Sequence, residues 1–408
     1  MSTGTVPSPG PAVGAERHAS WLELFFDLVV VAGIGMLAHL LHDDPGSGGF
    51  ALYVVAYTAF WLVWACFTTY GNVAGDDARP WPMLVGMAAL AVMIAAVPGI
   101  HGEHATAFAV AYVVGRLVAA RTWERTTVVL DLPVVQALGG VVPWIVSWWF
   151  DGTTQYVLWA AGLAIDLLFL LQASGERLAL RAQERLDQVR DRFRTTDRRR
   201  RGRSGADVPD SIETAASDVP HLGERLGLFV IIVLGEGLIQ AIDAASAAAW
   251  DRALAVAGAG AFTLLVSYWA LAVRSGYAGV SLLPVGAVPA RAAWFLHLGA
   301  TGALATLAGV LGGVLDEPGR ALERGELLLL VGAFAVHGLL GAGTHLITRR
   351  SRTAVVVAAP TLVAVAVALL SAGALSASGL VWVLAGALLV QLVLTTWVFT
   401  VDAEPGPA

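Results

Sequence analysis

The sequence predicts an all-α integral membrane protein of about twelve transmembrane helices, built as a six-plus-six parallel pseudo-repeat with both termini inside. Three observations carry that expectation. The 408 residues are 57% hydrophobic and 14% charged, with a mean hydropathy of +0.71; a soluble domain is about 45–50% apolar and about 25% charged. Forty-five glycines and abundant alanine supply the small residues that let helices approach closely in lipid, where no hydrophobic drive joins them. Long apolar stretches recur along the chain, and arginine alternates between the connections that join them.

A helix needs about 20 mainly apolar residues to cross the hydrocarbon core. The first half offers Trp21–Leu41, Phe50–Tyr70, Trp81–Val97, Ala105–Arg121, Leu132–Phe150 and Thr154–Gln172. The second offers Leu226–Ala245, Ala253–Val273, Ala292–Leu315, Glu326–Ile347, Ala354–Ala372 and Leu380–Thr400. The third stretch is short and ends at Pro98, and Pro143 interrupts the fifth. Residues 1–19 read as a disordered tail rather than a signal peptide, lacking a basic segment followed by an apolar one; residues 401–408 read as a second tail.

All 25 basic residues are Arg, and their placement orients the chain. With the N-terminus inside, every inner connection carries Arg: Arg79, then Arg121 and Arg125, the central cluster, Arg274 and Arg291, then Arg349, Arg350 and Arg352. The outer connections hold only Arg252, Arg320 and Arg324. This places both termini in the cytoplasm of a cell-membrane protein.

Residues 20–173 and 221–400 are thus read as two six-helix halves, and 174–220 as an Arg-rich cytoplasmic connection. GERLALRAQERLDQVRDRFRTTDRRRRGR reads as a charged helix extending the sixth span inward, and SGADVPDSIETAASDVP as flexible. The run Arg198–Arg203 suits anionic lipid headgroups, worth about 1 kcal/mol per Arg near the surface; a solvated topology determinant is the plainer reading. Nucleic acid is a poor partner for it, since no aromatic platform accompanies the charge. The single Cys66 rules out a disulfide within the chain and argues against a thiolate metal site. Neither a metal nor a cofactor is expected.

Spans one and seven begin alike: HASWLELFFDLVVVAGIG against HLGERLGLFVIIVLGEG, offset by about 202 residues. Each has a His, a polar lead with Glu, a β-branched run and Gly-x-Gly. Six spans separate the two starts, so both halves enter from one side, as in several transporter folds. WLELFFDLVVV, Glu224-Arg225-Leu226-Gly227-Leu228-Phe229 and VIIVLGEG also resemble the signature stretches of the low temperature requirement A (LtrA) family of bacterial membrane proteins, supported by TTYGNVAGDD, AYVVGRL and AIDLL. The similarity extends from about Ser20 to the final helix; Gly237 departs from it, standing where the family usually has Ser. The resemblance implies a multispan membrane protein and no particular biochemistry.

An ionisable residue inside a span is costly and faces the bundle interior or water, which makes it a functional candidate. Glu23 and Asp27, four apart, lie about 40° from one another on one helix face. Glu23 is interfacial, where a carboxylate suits the positive end of the helix dipole. Asp27 sits about 9 Å further in and needs a partner or a proton. Arg116 is the expected partner, with Glu224 and Arg225 near the same inner face, either as a static network joining the halves or as a gate that breaks and reforms. Glu236 lies about 18 Å beyond Glu224 by helix rise, flanked by Gly235 and Gly237, which would weaken the helix where transporters bind substrate and ions. Asp166 is a similar candidate nearer the inner half. His39, His297, His337 and His345 are expected to be packed or hydrogen-bonded rather than ligating, and HGEH at His101–His104 lacks zinc-site spacing.

No Walker loop, GxSxG or GxGxxG after a strand is present, which argues against ATP-driven transport by this chain. The expected function is secondary transport, proton-coupled through the buried acids, of a small solute or ion. A sensor or scaffold using the Arg-rich connection, an ion channel, and an intramembrane enzyme linked to stress or cold adaptation are the alternatives; no catalytic residue is assigned.

Overall fold

A computed structural model describes residues 18–123, 127–173, 175–197, 212–275 and 287–403. The proposed lipid contact at Arg198–Arg203 and most of both tails lie outside these residues.

Ser20 opens α1 (Trp21–Asp43) with a capping box: Glu23 N donates to Ser20 Oγ and Ser20 N to Glu23 Oε2, so two orphan helix donors are met. There follow α2 (Ser47–Ala74), α3 (Pro80–Ala96), α4 (Ala105–Arg121), a short α5 (Val141–Val146) and α6 (Thr153–Gln172). The central connection contributes α7 (Gly175–Asp197). The second group is α8 (Val219–Ala247), α9 (Arg252–Ser275), α10 (Ala290–Asp316), α11 (Arg324–Ile347), α12 (Ser351–Leu370) and α13 (Ala377–Ala403). Ten helices among the described residues are long and apolar enough to cross a membrane: α1, α2, α3, α6 and α8 to α13. Of the twelve expected spans, ten are thus continuous helices of membrane-spanning length. At 17 residues, α4 is shorter than that, and the fifth stretch, Leu132–Phe150, is not one helix.

That stretch breaks into a 3-10 turn at Pro133–Val135, the six-residue α5 and a 3-10 turn at Ser147–Trp149. Pro133 and Pro143 lack the N–H that a continuous helix needs, and Gly139–Gly140 lies between them. Non-helical backbone at membrane depth is tolerated only where protein buries it, and Val134 and Val135 are fully buried.

In the first group α1 packs on α2 and α3, α3 on α4, α4 on α5, α5 on α6, and α6 on α2. In the second α8 packs on α9 and α10, α10 on α11, α11 on α12, α12 on α13, and α13 on α9. The groups meet where α1 and α2 contact α8 and α10. Helix direction follows from paired contacts. Glu23 meets Arg225, and Gly35 faces Glu236, so α1 and α8 run parallel. The Phe108 ring lies against Trp159 and Arg116 against Asp166, so α4 and α6 do too. Tyr57 meets Thr301 and Trp61 meets His297, so α2 and α10 are antiparallel.

The charged helix of the connection forms, but as a separate element after a break at Ala173 rather than as an extension of α6. The end of the connection, expected to be flexible, is tied down. β1 (Thr127–Val129) pairs in parallel with β2 (Glu213–Ala215). Ser217 N donates to Asp131 Oδ2 at 2.6 Å. Asn72 clamps the Asp218 backbone, its Nδ2 donating to Asp218 O at 3.0 Å and its Oδ1 accepting from Asp218 N at 2.8 Å.

Candidate functional site

Two pairs with i, i+4 spacing interlock where α1 crosses α8. Glu23 and Asp27 project from α1; His221 and Arg225 project from α8. Arg225 Nη2 donates to Asp27 Oδ1 at 2.7 Å, and its Nη1 lies 3.1 Å from Glu23 Oε1. His221 Nε2 is 3.2 Å from the same Glu23 oxygen. All four residues are buried. Gly71 of α2 closes the group, since a Cβ there would stand 3.0 Å from Glu23 Oε1. Glu224, half-buried, faces His221 and His18 at the rim, each at 3.6 Å. Asp27 Oδ2 and Arg225 Nε are buried without a hydrogen bond. Such orphans are rare in native interiors.

Trp64 of α2 links this charge cluster to an aromatic layer. Its Nε1 donates to Asp27 Oδ1 at 2.9 Å, and its ring packs on Phe229 at 4.3 Å and stacks on His297 at 5.3 Å. His297 is held at both ring nitrogens: Trp61 Nε1 donates to Nδ1 at 2.9 Å, and Nε2 faces Leu226 O at 3.2 Å. With Nδ1 accepting, Nε2 carries the proton, so this is a neutral imidazole. Tyr57 extends the chain outward, donating to Thr301 Oγ1 at 2.7 Å, which donates to His297 O at 2.5 Å.

Glu236 lies deeper along α8. It is buried at 4% exposure, its Oε1 accepts from Gln240 Nε2 at 2.8 Å, and a Cβ on Gly35 would stand 2.9 Å from that oxygen. The glycines flanking it do not break the helix, which is continuous from Val219 to Ala247. Gly237 instead seats α8 against Leu265 and Ala308.

Arg116 corrects the sequence-based pairing. It does not meet Asp27 but hydrogen-bonds Asp166 of α6 and Tyr112, and its Nη2 donates to Val134 O and Ala137 O, both at 2.9 Å. Those carbonyls are freed where the fifth stretch unwinds. Arg116 and Asp166 thus form a staple that satisfies a broken segment, apart from the α1–α8 cluster. The five-residue cluster expected near the inner face divides accordingly: Glu23, Asp27, Glu224 and Arg225 stay together, and Arg116 leaves. Of the histidines, His39 is exposed and His337 packs edge-on against Tyr268 at 4.8 Å.

Sequence reasoning missed His221 and Trp64. His221 stood in view as the mate of Arg225, four residues apart like Glu23 and Asp27 on the matching helix. Nothing in the sequence marked Trp64 among fourteen tryptophans.

Fold and site define a polytopic α-helical membrane protein with a buried charge cluster at the contact of its two helical groups. The model of the bacterial low temperature requirement A protein (LtrA) family matches residues 18–393, nearly the whole chain, and the protein belongs to that family. No curated protein matches it significantly.

Proposed function

We propose that this protein is a secondary transporter of a small solute or ion, coupled to protons through the carboxylates on α1 and α8. The observation that carries the reading is the composition of the buried cluster. Two carboxylates face one guanidinium beside His221, with Asp27 Oδ2 and Arg225 Nε left unbonded. A finished structural network satisfies its members; with two carboxylates against one guanidinium, a proton held on a carboxylate or on His221 balances the charge. Glu236 supplies a second acid about 16 Å along α8 from Arg225. Val30, Phe229 and Val233, all fully buried, fill the space between as a dry seal, which alternating access would have to open.

Architecture supports the same reading. The neighbour order within α1–α6 is repeated within α8–α13, which fits a parallel repeat. Parity favours twelve crossings: α2, α3, α4 and α6 alone would leave α8 antiparallel to α1. The broken segment Leu132–Phe150 must then also cross. It ascends beside α4 and α6, with Ala137 level with Arg116, Gly140 with Asp166 and Trp144 stacked on Trp159. Twelve crossings together with the arginine bias would put both termini in the cytoplasm. The boundaries 20–173 and 221–400 then mark the halves.

The test is flux in proteoliposomes holding a pH-sensitive dye, with an imposed pH gradient and a panel of solutes and ions. Glu236→Gln and Asp27→Asn are expected to lose proton-coupled movement while remaining folded. Folded wild-type protein that moves nothing would overturn the reading. One observation favours a sensor instead: the end of the connection, docked through β2 on β1, Ser217 on Asp131 and Asp218 on Asn72, leads directly into α8. Excising residues 174–217 would abolish a sensing activity and spare flux.

A further inference from the structure

A cleft of ≈ 950 Å³ lies between α2, α10 and α11, at the end of the bundle opposite the charge cluster. Its rim is apolar and outward-facing: Phe50, Val54, Leu328 and Val336 are exposed. It therefore opens sideways, toward the hydrocarbon. On α11 it runs from Arg324 to Val336, about 18 Å of helix, close to the roughly 15 Å of one leaflet of the hydrocarbon core.

The mouth is built for negative charge. Arg324 is exposed there and forms no ion pair with a described residue, whereas Arg320 nearby is taken up by Glu317 and Glu326. Those bonds to Glu326 push the Arg320 guanidinium further above its usual range. The N-terminus of α2 lies at the same mouth with no side-chain cap from Gly46, whose N–H Asp44 takes. Helix N-termini of this kind favour anions. Within the cleft Tyr53 is 1% exposed. Its hydroxyl lies beside Thr306, which donates to Gly302 O at 2.8 Å, and completes no hydrogen bond.

We propose that this cleft binds an anionic glycerophospholipid, with its phosphate at Arg324 and the α2 N-terminus and one acyl chain laid between α2 and α11. Lateral opening, leaflet-matched length and a cationic mouth over an apolar body are together the complement of such a lipid. The inference stands apart from transport, since Glu236 does not line the cleft.

Full-length protein in detergent would be titrated with dioleoylphosphatidylglycerol or dioleoylphosphatidylcholine, and retained lipid counted by native mass spectrometry. One phosphatidylglycerol is expected to be retained, about tenfold more tightly than phosphatidylcholine, a charge-assisted contact being worth roughly that factor. Arg324→Gln should bring phosphatidylglycerol down to the phosphatidylcholine level. Gly332→Trp should remove binding, because Gly332 lines the cleft and a Cβ there meets nothing within 4 Å. Equal retention of the two lipids, or wild-type retention in Gly332→Trp, would overturn the proposal. Should Gly332→Trp not fold, Arg324→Gln, on an exposed side chain, decides alone. Glu236→Gln should retain lipid normally whatever it does to flux.

Discussion

Arg225 Nη2 stands 2.7 Å from Asp27 Oδ1 across the contact of α8 and α1, with both side chains buried. The pair ties the first helix of one group to the first helix of the other, and Glu23 shares the same guanidinium. Coulomb attraction at such a site is offset by the desolvation of each charge, so the pair itself adds little net stability, while removing one partner costs about 3–5 kcal/mol. Arg225→Ala strands two buried carboxylates and is expected to lose that much, read as a lowered unfolding midpoint in detergent. Asp27→Asn keeps an oxygen to accept from Trp64 and Arg225 and should lose only about 1–3 kcal/mol. Equal losses in the two variants would refute the asymmetry.

Arg116 and Asp166 are expected to match that pair in stability but to differ from it in flux. Arg116 closes the carbonyls of Val134 and Ala137 inside the bundle, so Arg116→Ala leaves unbonded backbone and an unpaired carboxylate at membrane depth. A loss of about 3–5 kcal/mol should follow, seen as reduced yield of folded protein. Asp166→Asn still offers an oxygen to the guanidinium. Whatever part of it folds should carry wild-type flux, because this staple lies outside the α1–α8 contact. Selective loss of flux in stable Asp166→Asn would move Asp166 into the pathway.

The two pairings also mark how far the sequence could be read. Depth along each helix was legible, since 1.5 Å per residue put Glu23, Asp27, Arg116 and Arg225 toward the same end of the bundle. Lateral neighbours were not. Arg116 and Arg225 have similar depth, and only packing shows that α4 lies against α6 while α8 lies against α1. The apolar run Leu132–Phe150 read as a helix by composition; Pro133 and Pro143 flagged it, but the guanidinium that makes an unwound crossing tolerable comes from another helix. Gly235 and Gly237 suggested a weak helix, yet Gly237 serves close packing against Ala308. Family membership was legible because it resides in contiguous stretches at the starts of spans one and seven.

Topology can be tested at the broken segment. In a Cys66→Ala background, which removes the only cysteine, single cysteines at Thr122 and Asp151 would be labelled with a membrane-impermeant maleimide. If the chain crosses between them, they label from opposite faces, Thr122 with Asp76 and Asp151 with Gly48. Labelling of both from one face would show that the segment returns without crossing and would leave eleven crossings.

Two glycines two residues apart, on opposite faces of α1, should separate packing from chemistry. A Cβ on Gly33 would lie 2.2 Å from Phe60 Cζ, inside a ring fixed in the core. Gly33→Ala must therefore overpack the α1–α2 contact, at about 1–3 kcal/mol, with flux falling only as folded protein falls. A Cβ on Gly35 would instead meet the far end of the Glu236 side chain, 2.9 Å from Oε1. A flexible carboxylate can yield, so Gly35→Ala should cost under about 1 kcal/mol while displacing Glu236 from Gln240. If Glu236 carries the proton, Gly35→Ala lowers coupled flux severalfold at nearly unchanged unfolding midpoint. Adding Gly35→Ala to Glu236→Gln then changes nothing further, as expected when two substitutions act on one group. Undiminished flux in Gly35→Ala would mean that the position of this carboxylate is immaterial, and Glu236 would be a packing residue.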